Sequence, residues 1–177
     1  VHGIPSKRKL KDGVIIALDL GAIMGGFYGD SAVTVAVGRI APEAEKLVEV
    51  TREALYLGIR QAVVGNRLTD ISHAVQVYVE AAGFSVVTEF VGHGIGRQLH
   101  EEPQVPNYGK SGQGPRLQSG MVLAIEPMVN MGRSAVRVLD DRWTAVTVDG
   151  SLSAHFEHTI AIQPTGAPRI LSELEKR

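Results

Sequence analysis

Two apolar runs separated by Gly25-Gly26 restrict this chain more than any other feature. Residues 14–23, VIIALDLGAI, follow the turn signal Asp12-Gly13 and read as a buried strand. Residues 27–38, FYGDSAVTVAVG, read as a second strand. A diglycine between such runs is a two-residue hairpin signal. Taken literally, it pairs Asp19 with Ala32 and Gly21 with Asp30. Asp30 then projects from the same face as Asp19, on the diagonal, with backbones about 7–8 Å apart. Two ionised carboxylates on one apolar face repel each other, and a cation between them removes the conflict. The competing reading of Asp19 is a strand-end residue that caps a neighbouring N–H.

The same anomaly recurs downstream. Glu126 interrupts MVLAIEPMVNM (121–131) and Glu157 interrupts SAHFEHTIAIQ (153–163). A buried carboxylate costs several kcal/mol unless it is paired or binds a metal. Pro127 holds Glu126 extended and removes a ladder donor just after it. In 153–163, Ala154, Phe156, His158, Ile160 and Ile162 alternate with His155, Glu157, Thr159 and Ala161. His93 stands at the exit of a strand over 84–92, in VGHGIGRQLHEEP (91–103). That stretch has no periodic apolar pattern and reads as a polar loop, with Gly94 and Gly96 as tight-turn positions. Arg97, Glu101 and Glu102 in it read as a structural polar network. Asp19, Asp30, Glu126, Glu157 and His93 together make a hard, oxygen-rich donor set, too acidic for a structural zinc site. Four negative charges match two divalent ions, a pair that can activate a shared water and polarise a carbonyl or phosphoryl oxygen.

The remaining pattern supplies a frame. Residues 42–64 fit an amphipathic helix opened by Pro42, with Glu43 and Glu45 at its dipole-positive end. Leu47, Val50, Ala54, Leu57 and Ile59 form its apolar stripe. Residues 70–82 fit a second helix with Thr69 as N-cap and His73 facing solvent. Residues 104–120 read as a long loop, 134–139 and 143–148 as short strands, and the tail after Pro164 as a fraying end. A hairpin, two helices and then several strands predict an α+β domain with a largely antiparallel sheet and helices on one face. With 177 residues, one domain is expected; 18 basic and 19 acidic side chains give no electrostatic reason for a nucleic-acid or membrane partner. The absence of cysteine excludes disulfides and thiolate metal sites. No apolar run reaches the length of a membrane span and no signal peptide is visible, so a cytoplasmic location is expected. The opening VHGIP reads as the middle of something, so 1–177 is expected to be a single catalytic domain lacking an N-terminal segment.

HGIPS (2–6), LDLG and GFYGDSA within 18–32, GHGIGRQLHEEP (92–103), AIEPM (124–128) and WTAVTVDGSLSAHFEHTI (143–160) are similar, in order and spacing, to the bacterial type I methionine aminopeptidases. The resemblance covers essentially the whole chain. It implies the pita-bread fold, a curved sheet with helices on its outer face. It implies metal ligation by Asp19, Asp30, His93, Glu126 and Glu157 of two divalent ions (Mn, Fe, Co or Zn). Asp30 and Glu157 would bridge, Asp19 would chelate one ion, and His93 and Glu126 would bind the other. His100 would hydrogen-bond the scissile amide, His2 would steady the tetrahedral intermediate, Glu126 would also shuttle the proton, and Trp143 would wall the methionine pocket. The implied reaction is removal of the N-terminal methionine from nascent proteins whose next residue is small, through attack by a hydroxide held between the metals. The implied partners are nascent-chain N-termini, with the ribosome left open, and the implied state is a monomer. The chain departs from the family at Gly21, where many members carry Thr, at Leu99, where some carry an aromatic, and in the segment expected before HGIP. The alternatives are an Xaa-Pro peptidase of the same fold and a non-catalytic homologue or fragment acting as a binding module.

Overall fold

The computed structural model describes residues 1–173. The expected hairpin is present: β1 (Val14–Met24) pairs antiparallel with β2 (Phe27–Val37), with Asp19 opposite Ala32 and Gly21 opposite Asp30. Gly25 and Gly26 both take positive φ, which only glycine adopts without strain, and so set this register. Next come α1 (Pro42–Gln61), α2 (Leu68–Ala81), β3 (Ser85–Val86), β4 (Gly92–Gly94) and β5 (Glu101–Val105). Then follow β6 (Val122–Ile125), β7 (Met128–Asn130), β8 (Val136–Val138), β9 (Ala145–Thr147), β10 (Ser153–His155), β11 (Glu157–Ala161) and β12 (Arg169–Ile170). The large sheet runs β1-β2-β11-β6-β4-β5, with β12 added to β11. A second sheet runs β10-β7-β3, and β8 pairs with β9. Every pairing is antiparallel, so the α+β expectation holds.

The helices cover one side of these sheets. Leu47 and Ala54 of α1 pack with Val75 and Val79 of α2 and with Val86 and Val129 of the second sheet. Leu55, Ile59 and Ile71 pack on Leu123, Ile125 and Ile160 of the large sheet. A Cβ at Gly58 would lie 2.9 Å from Val75 Cγ2, so glycine there allows the two helices to approach closely. Helix α1 ends at Gln61, short of the expected 64, while Leu57 is only half-buried. Helix α2 begins earlier than expected, and Thr69 is not its cap. The Asp70 carboxylate accepts the Arg67 backbone N–H at 2.7 Å and closes the first turn, while the Thr69 hydroxyl bonds the Gln113 carbonyl at 3.0 Å. His73 is exposed, as expected. Among the described residues no helix is long and apolar enough to cross a membrane.

Several expected strands are broken, and the breaks shape the site. Residues 121–131 divide at Glu126-Pro127 into β6 and β7, and 153–163 divide at Phe156 into β10 and β11. At each break the chain passes from one sheet to the other, because β6 and β11 pair in the large sheet while β7 and β10 pair in the second. Proline has no N–H with which to continue the ladder. The residual contact across the breaks is Phe156 N–H to the Pro127 carbonyl, at 3.4 Å. The run 84–92 is likewise two short strands, β3 and β4.

The stretch 91–103 is not a free loop: β4 and β5 in it pair as a hairpin on the large sheet. Its glycines serve a different purpose from tight turning. A Cβ at Gly94 would overlap the Glu102 carbonyl, and one at Gly92 the Ala124 carbonyl, so both permit close backbone approach beside His93. Gly94→Ala is therefore expected to destabilise the fold by about 1–3 kcal/mol, read from the urea midpoint at unchanged slope. Arg97 does not join a polar network but stacks over Phe27, with its guanidinium carbon 4.0 Å from the ring centre. Glu101 accepts the Gln98 N–H at 2.8 Å.

The first strand is not buried. β1 is the edge of the large sheet, and Leu18, Leu20, Ile23 and Met24 are exposed along it. An apolar run shows that a strand has an apolar face but not what lies against it. The tail is not entirely frayed, since β12 pairs with β11 and the Leu171 N–H bonds the Thr159 carbonyl at 2.8 Å. The rest of that tail, 174–177, lies outside the described residues.

Candidate metal centre

The strand register brings the five anomalous residues to one face in two adjacent rows. Asp19, Ala32 and Glu157 lie opposite one another across β1, β2 and β11. The β11–β6 pairing, His158 opposite Ile125, sets Glu126 beside Glu157 one step past the end of β6. The neighbouring row holds Asp30, Thr159, Ala124 and His93, since Ala124 pairs with both Thr159 and His93. Residues two apart on a strand share a face, so both rows point the same way. Ala32 and Ala124 are small and leave space between the polar side chains.

Threonines hold the strands where the ladder between β2 and the broken β10–β11 run gives way. Thr159 Oγ1 accepts the Asp30 N–H at 2.9 Å and donates to the Asp30 carbonyl at 2.8 Å. On the other side of the Ala32–Glu157 pair, Thr34 Oγ1 likewise donates to the His155 carbonyl and accepts its N–H, both at 2.8 Å. Both threonines are buried and replace backbone pairing with side-chain pairing, so the backbone N–H and carbonyl of Asp30 and of His155 are satisfied.

Four carboxylates converge with almost no compensation. Among the described residues no lysine or arginine pairs with Asp19, Asp30, Glu126 or Glu157. The Ser31 N–H to Asp30 Oδ1, at 3.1 Å, is the sole hydrogen bond to their side-chain oxygens there. Glu157 is 2% exposed and its Oε1 has no partner. Desolvation first, and then the charges of Glu126, Asp30 and Asp19, push its pKa up to about 10. Asp30 is raised too, by desolvation and then by Asp19. His93 donates its Nδ1–H to the Gly94 carbonyl at 2.9 Å, so that in the neutral ring the Nε2 lone pair faces Glu126 Oε1 at 3.5 Å. A lone pair and a carboxylate do not attract. Buried oxygens without donors and an imidazole lone pair aimed among them are what a cation would satisfy, and hard oxygen donors with one imidazole suit divalent ions. Asp30, His93 and Glu157 offer ligand atoms within 4.8 Å of one another, and so do Glu126, His155 and Glu157.

The cluster forms the floor of a cleft of about 370 Å³. The other expected site residues, His2, His100 and Trp143, line it. The His100 ring stands 4.5 Å from that of His93, on the exposed rim. His2 is held by bridging to Ala145, beside Phe90 at 4.8 Å and Trp143 at 5.8 Å between ring centres. Burial lowers the His2 pKa and favours the neutral ring. Phe90, Leu99 and Trp143 give the cleft an apolar wall. A Cβ at Gly21 would meet Leu99 Cδ1 at 3.6 Å and Asp30 Oδ1 at 3.7 Å, ordinary contacts that leave room for a side chain there. Sequence reasoning missed Phe90 and the part played by His155. For His155 there was a signal, its shared parity with Glu157. For Phe90 there was none, because its strand was expected to run straight through.

Comparison with known proteins places this site. The model of metallopeptidase family M24 matches residues 1–164. The methionine aminopeptidase of Clostridium perfringens is 59% identical over 172 residues, covering 97% of this chain and 69% of that protein. The crystal structure of a Thermotoga maritima methionine aminopeptidase superposes with a TM-score of 0.95 at 52% identity, covering 98% of this chain and 70% of that one. A Pyrococcus horikoshii prolidase, at 23% identity and a TM-score of 0.77, covers 99% of this chain and 45% of its own, and shares the fold. A family match over nearly the whole chain, with relatives this similar on both sequence and structure, means that the chain belongs to metallopeptidase family M24 and, within it, to the methionine aminopeptidases.

Proposed function

We propose that this chain hydrolyses the peptide bond after an N-terminal methionine, on newly made proteins and peptides whose second residue is small. The observation that carries the reading is the convergence of Asp19, Asp30, His93, Glu126 and Glu157 on one face with no lysine or arginine against them among the described residues. These five residues would hold two divalent ions (Mn, Fe, Co or Zn), whose four positive charges balance the four carboxylates. When bound, such ions supply Lewis-acid polarisation of the scissile carbonyl and lower the pKa of water. Residues 1–177 act here as one catalytic domain.

The other side chains divide the remaining work. Phe90, Leu99 and Trp143 take up an unbranched apolar side chain and exclude water from it. His100, on the rim beside His93, hydrogen-bonds the scissile amide. His2, neutral because burial lowers its pKa, donates one N–H to the oxygen that gains charge at the reacting carbon. Glu126 takes the proton of the attacking water and passes it to the departing amine. The remaining elements of the proposal are a monomer in the cytoplasm that meets its substrates as chain ends at the ribosome. Sedimentation and co-pelleting with ribosomes check them.

The test is an assay of Met-Gly and Xaa-Pro peptides with added Mn²⁺ or Co²⁺. Release of methionine from Met-Gly peptides is expected. Cleavage confined to Xaa-Pro bonds, or calorimetry that detects no metal uptake, overturns the reading in favour of the prolidase-like or the non-catalytic alternative. His100→Ala is expected to lower kcat/KM on Met-Gly peptides by about 10²-fold while metal affinity stays within twofold.

A further inference from the structure

His155 stands outside the five residues above. Its surroundings match those of His93 more closely than those of a packing residue. It is 3% exposed, at the end of β10, one residue before the break at Phe156. Its backbone is fastened on both sides, N–H and carbonyl, to Thr34 Oγ1. Its ring lies between two carboxylates, with Nδ1 3.8 Å from Asp19 Oδ2 and Nε2 3.4 Å from Glu126 Oε2. Neither nitrogen has a hydrogen-bond partner. Glu126 thus has an imidazole at each oxygen, His93 at Oε1 and His155 at Oε2.

A neutral imidazole carries one N–H and one lone pair. With a carboxylate at each nitrogen, the ring can meet both only by holding a proton on each nitrogen, or by keeping Nδ1–H toward Asp19 and giving its Nε2 lone pair to a cation among the acceptors. The Nε2 side has the ligand atoms for it, because Glu126, His155 and Glu157 offer donors within 4.8 Å of one another. This group is distinct from the Asp30–His93–Glu157 group and shares Glu157 with it.

We infer that His155 is a sixth donor of the metal centre, its Nε2 directed at the cation shared by Glu126 and Glu157, and its Nδ1–H turned toward Asp19. The inference rests on the metal-centre reading above. It makes the centre richer in nitrogen, with two imidazoles on two separate strands. The softer donor favours later first-row ions such as Co²⁺ or Zn²⁺ over Mn²⁺.

X-ray absorption of the zinc-loaded protein tests this, because imidazole scattering counts histidines per zinc. Two zinc ions with His93 and His155 as ligands give an average of about one imidazole per zinc. His155→Gln is expected to halve that count and to weaken zinc binding in calorimetry by at least about 10-fold. His93→Gln, halving the count from the other side, is the reference. A wild-type count of half an imidazole per zinc overturns the inference and leaves the five-residue centre standing. So does a His155→Gln protein with unchanged count and affinity. A wild-type protein that takes up no zinc overturns the metal-centre reading itself. The wild-type count decides the matter even if His155→Gln does not fold.

Discussion

Glu157→Gln is expected to abolish tight metal binding and, at the same time, to make the metal-free chain more stable. Glu157 lies at the centre of the cluster, 2% exposed, beside Ala32 on one side and Glu126 on the other. Its oxygens belong to both groups of potential ligand atoms. Glutamine keeps the shape and removes the charge. Metal affinity should fall by at least 10–100-fold and turnover by 10²-fold or more, the range for losing an electrostatic group at a reacting centre. Stability should move the other way. Without metal, burial and three neighbouring carboxylates push the Glu157 pKa from 4.5 up to about 10, so at pH 7 the fold must hold a proton that the unfolded chain has released. Each pH unit above 4.5 costs about 1.4 kcal/mol, or about 3 kcal/mol at pH 7. Glutamine escapes that cost. For a chain of this length the gain is about 6–12 °C in the Tm of the metal-free protein. Scanning calorimetry in chelator, with metal titration on the same samples, reads both effects. A variant with the wild-type metal-free Tm and metal affinity within twofold of wild type would remove Glu157 from the centre.

Metal removal is expected to lower Tm, and to lower it more as pH rises. The sign follows from the direction of the shifts. Glu157 and Asp30 are both raised in the metal-free fold, Glu157 mainly by desolvation and Asp30 by desolvation and then by Asp19. A raised carboxylate costs nothing below its unfolded value and progressively more stability as pH rises from there toward its folded value. For Glu157 the window opens at 4.5 and closes near 10, which spans the whole working range. Bound cations offset the repulsion and displace those protons. At metal 100-fold above Kd the stabilisation is about 2.7 kcal/mol, about 5–10 °C for this size. Measured at pH 5.5 and pH 8.5 with and without EDTA, the gap should be larger at the higher pH. Proton release on metal binding, seen by calorimetry in two buffers of different ionisation enthalpy, should accompany it. A gap independent of pH would mean that the carboxylates are not neutralised by the metal.

The hairpin shows how far local information reaches. Gly25 and Gly26 need positive φ, and that need sets the pairing of Asp19 with Ala32 and of Gly21 with Asp30 residue by residue. Alternation along 153–163 likewise puts His155 and Glu157 on one side. The breaks at Glu126-Pro127 and Phe156 did not show as breaks, although Pro127 was visible. A proline can end a strand, sit at its edge or hand it to another sheet, and the choice depends on which strands lie alongside. The same holds for β1, apolar in sequence and exposed in the fold.

What the sequence by itself determined was which residues carry charge inside apolar strands and which of them share a strand face. Those properties depend on a two-residue period and a two-residue turn, and both are local. What only the tertiary structure decided was the order β1-β2-β11-β6-β4, which sets Asp19 in line with Glu157, Asp30 beside Thr159 and His93 beside Ala124. It also decided that two chain breaks coincide where the sheets meet, carrying His155 back among the carboxylates. Strand adjacency is settled by packing between residues more than a hundred positions apart, Thr34 with His155 among them, and no period in the chain encodes it.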